Sequence, residues 1–201
     1  MKLILVRHGE TEFNINRKMQ GGSVDSDLTE KGRVQVEKLG EALVSEGVDV
    51  VYCSDLGRCR QTVEPFLKKT GLVANYDAGL REREWGVFDG GDCDVWLDFL
   101  KDGGYVGDFG FRPESGESFY DVQRRITSKI SDIVDKEKGN ILVVSHGSAL
   151  ISFLLGQFED VASLELYEKY RIGNASVSVI GFGEDGKMVL ERHNCCEHLN
   201  G

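Results

Sequence analysis

Three short apolar runs, separated by sequence with helical periodicity, constrain the fold of this chain more than any other feature. The runs are KLILV (2–6), VDVVYCS (48–54) and NILVVS (140–145). Their short length and unbroken hydrophobicity are typical of strands that are buried on both faces. Because strands that alternate with helices form crossover units, we expect a three-layer α/β sandwich, a mainly parallel sheet with helices on both faces.

Signals for helix starts and interruptions lie between these runs. Thr29 can cap a helix that runs to about Ser45, because its side chain can accept a hydrogen bond from an amide of the first turn. Ser118 and Asp121 form a capping-box-like start for a later helix. The helix after the second run contains Pro65, and we expect it to bend or break there because proline lacks an amide hydrogen.

The rest of the chain predicts a hairpin and a cap. SVSVIGF (176–182) and KMVLERH (187–193) are separated by GEDG, which is typical of a tight turn between two strands. Residues 85–118 are rich in Gly, Asp and aromatic residues and predict an excursion from the sheet. Since 201 residues fit one domain, we predict a single domain over 1–201 with a small cap-like insertion at about 85–118.

Composition excludes several classes of partner. A net charge of -10 and a pI near 4.9 argue against nucleic acid and anionic membranes, since both favour clustered Lys and Arg. The 5 cysteines include no CxxC pair, so neither a disulfide framework nor a zinc site is indicated. The first apolar run is too short for a membrane span or a secretory signal. We therefore expect a cytoplasmic monomer or homodimer that holds any anionic substrate in a local basic pocket.

Arginine and histidine residues, which are not typical turn residues, follow the three apolar runs. Arg7 and His8 follow the first run, Arg58 and Arg60 come shortly after the second, and His146 follows the third. Ligands of open α/β sheets bind outside the carboxyl ends of the strands. If the three strands are neighbours, two imidazoles and at least two guanidiniums converge on one pocket, which suits a phosphoryl group.

Each of these residue types has a role in phosphoryl transfer. Guanidinium groups bind non-bridging phosphoryl oxygens bidentately and stabilise the charge of the transition state. A neutral imidazole can attack phosphorus and form a covalent intermediate. The leaving oxygen then needs an acid, for which the segment LREREWG (80–86) offers both Glu82 and Glu84.

The motifs LVRHGET (5–11), SDLGRCRQT (54–62), LREREWG (80–86) and SHG (145–147) occur in this order along the chain. In residue type, order and spacing they resemble the histidine phosphatase superfamily, in the branch that contains cofactor-dependent phosphoglycerate mutases and their phosphatase relatives. The resemblance covers nearly the whole chain. It implies that His8 is the nucleophile that becomes phosphohistidine and that Arg7 is a phosphate ligand.

The same resemblance chooses between neighbours that the residues alone leave open. It places Arg58 in the phosphate pocket in preference to Arg60. It makes Glu82, the first Glu of its motif, the proton donor in preference to Glu84. His146 becomes the second imidazole of the pocket.

The resemblance adds four residues that contact the phosphoryl group, and the sequence differs from the family pattern at three places. The resemblance implies contacts with the transferred phosphoryl group from Asn14, Gln20, Gly21 and the amide of Gly147. The departures are Asp27 where the family usually has Pro, a loop QGGSVDSDLT that is one residue longer than the common form, and Cys59 after the second Arg. None of the three touches the chemistry.

The cap bears on the choice between a hydrolase and a mutase. Residues 85–118 carry eight Asp and Glu residues against only Lys101 and Arg112. A mutase must hold a second anionic group while it transfers a phosphoryl group, so this cap favours a hydrolase. The aromatic residues of the cap either pack it onto the sheet or select an apolar or aromatic leaving group. They are Trp85, Phe88, Trp96, Phe99, Tyr105, Phe109 and Phe111.

The sequence therefore predicts a phosphomonoester hydrolase that acts on small phosphorylated metabolites through phosphohistidine. It needs no metal and no cofactor, because cationic side chains hold the phosphoryl group. One alternative is a phosphoglycerate mutase that uses a bisphosphorylated cofactor. Another is a non-enzymatic phosphoprotein-binding scaffold, although such a protein has no use for an acid at Glu82.

Overall fold

A six-stranded sheet lies at the centre of the computed structural model, which describes residues 1–200. The strands are β1 (Lys2–Arg7), β2 (Val50–Ser54), β3 (Ala74–Asp77), β4 (Ile141–Ser145), β5 (Val177–Phe182) and β6 (Met188–Cys195). Their order across the sheet is β3-β2-β4-β1-β5-β6, and β5 runs antiparallel to its two neighbours while the other strands are parallel to each other. The predicted mainly parallel sheet and the hairpin of β5 and β6 are confirmed.

Helices pack on both faces of this sheet. They are α1 (Glu12–Ile15), α2 (Glu30–Val44), α3 (Gly57–Thr70), α4 (Cys93–Asp102), α5 (Phe119–Lys136), α6 (Gly147–Phe158) and α7 (Leu164–Lys169). Two of the predicted caps are present, since the Thr29 side chain accepts a hydrogen bond from the Gly32 amide and Ser118 accepts one from the Asp121 amide. The three-layer α/β sandwich is therefore confirmed.

Helix α3 runs without a break through Pro65, so, of the bend or break expected there, the break is wrong. Proline in a helix interior removes one hydrogen bond and normally destabilises the helix. Here Pro65 is buried against α2, where a Cβ atom built on Gly40 would lie 3.1 Å from the Pro65 Cβ. The close packing of α3 on α2 outweighs the lost hydrogen bond.

The side chains of β1 alternate between two hydrophobic cores, one on each face of the sheet. Leu3 and Leu5 belong to the core formed with α5 and α6, whereas Ile4 and Val6 belong to the core formed with α2 and α3. This alternation follows from the pleat of a strand, in which successive side chains point to opposite faces. Burial on both faces fixes the carboxyl ends of the central strands.

The cap leaves the sheet between β3 and α5 and contains helix α4. Its aromatic rings pack on one another, with Trp96 contacting Trp85, Phe88, Phe99 and Phe111. The single-domain organisation over 1–201 stays a prediction. Among residues 1–200, no helix is long and apolar enough to cross a membrane.

Candidate active site

The carboxyl ends of β2, β4 and β1 are adjacent in the sheet, and they bring the predicted residues together. His8 follows β1, Arg58 lies in the first turn of α3 after β2, and His146 precedes α6 after β4. The ring centroids of His8 and His146 are 5.3 Å apart. All three side chains are buried, with exposed fractions of 3% or less.

The His8 imidazole has one nitrogen bound and one available for chemistry. Its Nδ1 lies 2.8 Å from the Gly9 carbonyl oxygen. Because a carbonyl can only accept, this contact assigns the proton to Nδ1 and leaves Nε2 with a free lone pair. Burial holds the pKa of His8 well below its usual 6.5, and the charges of Arg58 and Arg7 lower it further. The ring is therefore neutral at pH 7.

The backbone around His8 is held by two groups that the sequence did not single out. The Gly9 amide donates to Thr62 Oγ1 at 2.9 Å. The Asn174 Nδ2 group donates to the His8 carbonyl oxygen at 3.1 Å. These hydrogen bonds come from α3 and from the segment before β5, so two distant parts of the chain fix the position of the imidazole.

Arg58 is completely buried, and most of its hydrogen-bonding capacity is used within the protein. Its Nη1 group donates to the Val24 carbonyl and to Asp25 Oδ1, both at 2.9 Å, and Nη2 donates to the Gly21 carbonyl at 3.0 Å. Nε donates to His146 Nδ1 at 3.1 Å. A guanidinium has five N–H groups, so one Nη2 N–H remains for a ligand. Asp25 was not predicted from the sequence.

His146 lies beside His8 as predicted, but both of its ring nitrogens have protein partners. Nδ1 accepts from Arg58, and Nε2 lies 2.8 Å from Ser54 Oγ, to which it donates. Burial, followed by the charge of Arg58, holds the pKa of His146 well below 6.5. In this arrangement the ring orients Arg58 and has no free donor of its own for a phosphoryl group.

Arg7 carries a donor that has no protein partner. Its Nη1 donates to the Ile172 carbonyl at 2.7 Å. Its Nε is buried and has no acceptor among residues 1–200. Burial lowers the pKa of Arg7, and the nearby Glu82 carboxylate opposes that effect. An unpaired buried N–H is costly, so this position is suited to an anionic acceptor.

Glu82 is held at the start of α6 by three backbone amides. Oε1 accepts from Arg83 at 2.8 Å and from Ala149 at 2.9 Å, and Oε2 accepts from Ser148 at 3.0 Å. A Cβ atom built on Gly147 would lie 3.7 Å from Glu82 Oε2. The Gly147 amide belongs to the same helix start, where the first N–H groups have no acceptor within the helix.

The two neighbours that the resemblance rejected lie elsewhere. The guanidinium of Arg60 stacks over Tyr76, with Cζ 3.7 Å from the ring centroid. The Glu84 carboxylate lies against the loop at Gly22, where a Cβ atom would be 2.7 Å from Glu84 Oε1. Burial and the neighbouring Asp89 raise the pKa of Glu84. Arg58 and Glu82 therefore lie near His8, as predicted, and their functional roles stay a prediction.

The predicted loop residues differ in what they can offer a ligand. Asn14 Oδ1 accepts from Thr11 and from Asn174, which leaves the Asn14 NH₂ group as its side-chain donor. The Gln20 amide accepts from the Thr11 hydroxyl and donates to a serine of the same loop. The Gly21 amide donates to Asp89 Oδ1 at 2.9 Å. Gln20 and Gly21 both support the loop. The Gly21 amide is already used, whereas one N–H of the Gln20 side-chain amide remains for a ligand.

A cavity of about 220 Å³ opens beside this cluster. Arg7, Glu82 and Gly147 line its inner side, and Tyr167 and Arg171 come from α7 and the residues after it. The Arg171 guanidinium is exposed and pairs with Glu168 at 3.1 Å. This wall was not predicted from the sequence, because α7 has no apolar run or motif to mark it. No group of His, Cys, Asp and Glu side chains among residues 1–200 could hold a metal ion, and metal independence stays a prediction.

Comparisons with known proteins agree with this arrangement. The sequence model of the histidine phosphatase superfamily (branch 1) matches residues 3–195. A probable phosphoglycerate mutase, GpmB of Citrobacter koseri, is 33% identical over 195 residues, which cover 92% of this chain and 86% of the relative. This chain therefore belongs to the histidine phosphatase superfamily, and the resemblance inferred from the motifs is confirmed.

Two solved structures are similar over almost their whole length. Bacillus stearothermophilus YhfR superposes with a TM-score of 0.88 at 31% identity, covering 98% of both chains. The phosphoserine phosphatase of Entamoeba histolytica, solved in complex with 3-phosphoglyceric acid, superposes with a TM-score of 0.85 at 27% identity and also covers 98% of both chains. One relative is named as a mutase and another as a phosphatase, so their names alone do not choose the reaction.

Proposed function

We propose that this protein is a phosphomonoester hydrolase that works through phosphohistidine at His8. The observation that carries the proposal is a neutral, buried imidazole close to the charges of Arg58 and Arg7, with Nε2 free and its Nδ1–H group donating a hydrogen bond to the Gly9 carbonyl. In the first step, the phosphoryl oxygens bind Arg7 and Arg58, and the Nε2 lone pair attacks phosphorus. The bond from phosphorus to the ester oxygen breaks, and protonated Glu82 gives that oxygen its proton.

The second step returns the enzyme to its starting state. Water attacks phosphorus, the bond from phosphorus to Nε2 breaks, and the Glu82 carboxylate takes a proton from the water. Inorganic phosphate leaves, and His8 is neutral again with its proton on Nδ1. The Nδ1–H group donates a hydrogen bond to the Gly9 carbonyl throughout, which stabilises the positive ring of the intermediate.

In this proposal the remaining predicted residues either position Arg58 or donate hydrogen bonds at the rim of the phosphoryl site. His146 positions Arg58 through the hydrogen bond between Arg58 Nε and His146 Nδ1. Asn14 and the Gly147 amide supply donors at the rim of the site. Gln20 and Gly21 hold the loop whose carbonyl groups bind Arg58.

The mutase alternative is supported by the name of one relative and by two arginines that the charge count of the cap leaves out. Arg112 and Lys101 are exposed and pair with Asp121 and Asp98, in agreement with the expected shortage of cap cations. Arg83 and Arg171, however, line cavities next to the site. Counting charges within 85–118 therefore underestimates the cations near a substrate, and the mutase needs its own test.

One product analysis separates the two reactions. The protein is incubated with a panel of phosphomonoesters in metal chelator, and separately with 3-phosphoglycerate plus bisphosphoglycerate. We expect release of inorganic phosphate from the panel, unchanged by the chelator, and little 2-phosphoglycerate. The His8→Ala variant is the control for contaminating phosphatase. Efficient interconversion with negligible phosphate release would replace the hydrolase with the mutase.

A further inference from the structure

A second cavity of about 250 Å³ lies between the cap and α7, next to the phosphoryl site. Its lining is mainly apolar and aromatic and includes Trp85, Trp96, Tyr105, Phe111, Leu164 and Tyr167. Small-molecule sites are typically lined in this way, with few polar groups. Its volume is below the roughly 300–1,000 Å³ of pockets for larger ligands, so it fits a group of about one ring.

The cavity adjoins the residues that would protonate the leaving oxygen. Tyr167 lines both this cavity and the one beside Arg7 and Glu82. The Tyr167 hydroxyl lies 3.2 Å from Ser148 Oγ, and the Ser148 amide donates to Glu82. The Arg83 amide, on the other side, also donates to Glu82. A substrate with its ester oxygen at Glu82 can therefore extend its organic part into the cap cavity.

The wall of this apolar cavity contains two charged residues, Arg83 and Asp108. Asp108 Oδ1 already accepts from two backbone amides of the cap, which leaves Arg83 as the charged group for a ligand. The Arg83 guanidinium carbon lies 4.4 Å from the ring centroid of Trp85, and its Nε donates to the Glu117 carbonyl at 2.9 Å. Within residues 1–200 no carboxylate lies close enough to Arg83 to form an ion pair. The Arg83 Nη2 group donates to the Phe111 carbonyl at 3.4 Å, so within the described part of the chain only carbonyl groups accept hydrogen bonds from this guanidinium. A half-buried guanidinium with no carboxylate at hydrogen-bonding distance favours a ligand that brings a negative acceptor.

We propose that the cap cavity binds the alcohol part of the substrate, and that this part is a ring that carries a carboxylate facing Arg83. The inference rests on the proposed function for the position of the phosphoryl group. It specifies the substrate class as phosphomonoesters of carboxylated aryl alcohols or close analogues.

Tryptophan fluorescence reports binding in this cavity directly, because the chain has 2 Trp residues and both line it. Three non-hydrolysable probes are titrated: methylphosphonate, benzylphosphonate and 4-carboxybenzylphosphonate. We expect benzylphosphonate to bind at least about tenfold more tightly than methylphosphonate, because the ring is buried. The carboxylated probe should gain about another tenfold from its charged hydrogen bond, and both ring probes should change the fluorescence.

Two arginine variants test whether Arg83 causes the tighter binding of the carboxylated probe. Arg83→Met should remove the advantage of 4-carboxybenzylphosphonate over benzylphosphonate while it retains benzylphosphonate binding. Arg112→Gln is the matched control, since Arg112 is an exposed cap arginine that does not line the cavity, and it should keep the full preference. If Arg83→Met does not fold, Leu164→Gln at the 54% exposed rim provides the second test of the cavity assignment, and it should weaken both ring probes.

The outcomes separate this inference from the hydrolase proposal. Equal affinities for methyl and benzyl probes would overturn the cavity assignment, and equal affinities for the two ring probes would overturn the role of Arg83. If the expected order of affinities is found but no monoester releases phosphate, the cavity assignment stands and the hydrolase proposal fails. If phosphate is released with no preference for ring substrates, the hydrolase proposal stands and the cavity assignment fails.

Discussion

Two buried imidazoles stand beside two guanidiniums, and this proximity determines which protonation states the site can hold. Neither His8 nor His146, both buried, can gain a proton without placing a third positive charge near Arg7 and Arg58. Burial and these charges both lower the pKa of each histidine. The same arrangement therefore keeps His8 neutral and makes folding depend on pH.

Stability should fall as the pH drops below the ordinary histidine range. A histidine whose pKa is lower in the folded state binds a proton on unfolding, so the unfolded protein holds more protons below about pH 6.5. The free energy of unfolding should then decrease by up to about 1.4 kcal/mol per pH unit for each of His8 and His146. Urea unfolding at about pH 7.5, 6.5 and 5.5 measures this decrease in the free energy of unfolding. This pH range lies above the ordinary carboxylate pKa values of about 4, so the carboxylates stay ionised.

Substitution of His8 tests whether this pH dependence of stability comes from the candidate active site. His8→Gln removes one of the two strongly shifted groups, so the decrease between about pH 6.5 and 5.5 should become shallower. His198→Gln is the comparison, since His198 is only partly buried and its pKa is lowered less far. Identical slopes for His8→Gln and the wild type would show that His8 does not contribute to the pH dependence.

The proposed role of Glu82 as general acid can be tested by comparing substrates whose leaving groups differ in their need for a proton. Glu82→Gln should slow alkyl phosphates by about 10²–10⁴-fold, the usual contribution of a general acid. Aryl phosphates such as nitrophenyl phosphate should lose much less, because a good leaving group hardly needs a proton. Steady-state rates of both substrates measure the difference. Glu84→Gln should leave both rates nearly unchanged, and a larger loss there would move the role to Glu84.

At this scale, motif residues could be predicted and their supporting partners could not. His8, Arg7, Arg58 and His146 stand at the ends of apolar runs, so the sequence marks them. Asp25 contacts Arg58 across 33 positions of sequence, and nothing local distinguishes it from other loop aspartates. Arg83 shows the same limit, because only the folded cap gives it an apolar surrounding.

At the scale of elements, prediction succeeded where burial leaves a pattern. β1, β2 and β4 are continuous apolar runs because they are buried on both faces. β3 (ANYD) buries only Ala74, and α7 has no fully buried residue, so neither carries a hydrophobic pattern that sequence can reveal. At Pro65 of helix α3 the local signal is clear, but it predicts a break that does not occur, because tertiary packing outweighs it.

The loop that carries His8 depends on close packing against α2. A Cβ atom on Gly32 would overlap the Glu10 carbonyl oxygen, which is backbone and cannot turn away. Gly32→Ala should therefore destabilise the protein by about 1–3 kcal/mol and lower turnover by shifting the segment two residues beyond the nucleophile. Glu37→Ala, at an exposed position of the same helix, should be neutral in both thermal unfolding and activity. Unchanged stability of Gly32→Ala would mean that the loop does not depend on this contact.

Over the whole molecule, a net charge of -10 surrounds a small cationic site. Most acidic groups are exposed or paired at the surface, whereas Arg7 and Arg58 lie at the strand ends, where Arg58 is completely buried. An anionic substrate gains little from the long-range field of such a protein, so its affinity must come from contacts inside the two cavities. That is consistent with a cap whose aromatic residues form both its own core and the wall of a binding cavity.

Direct detection of phosphate on His8 tests the proposed covalent mechanism. The wild-type protein is mixed with a phosphomonoester, quenched in denaturant without acid, and digested for mass spectrometry. We expect one added phosphoryl group on the peptide that contains His8. The modification should be lost on acid treatment and absent from His8→Ala, which should also lose several orders of magnitude in turnover. Normal turnover in His8→Ala, or phosphate found on another residue, would contradict the phosphohistidine mechanism.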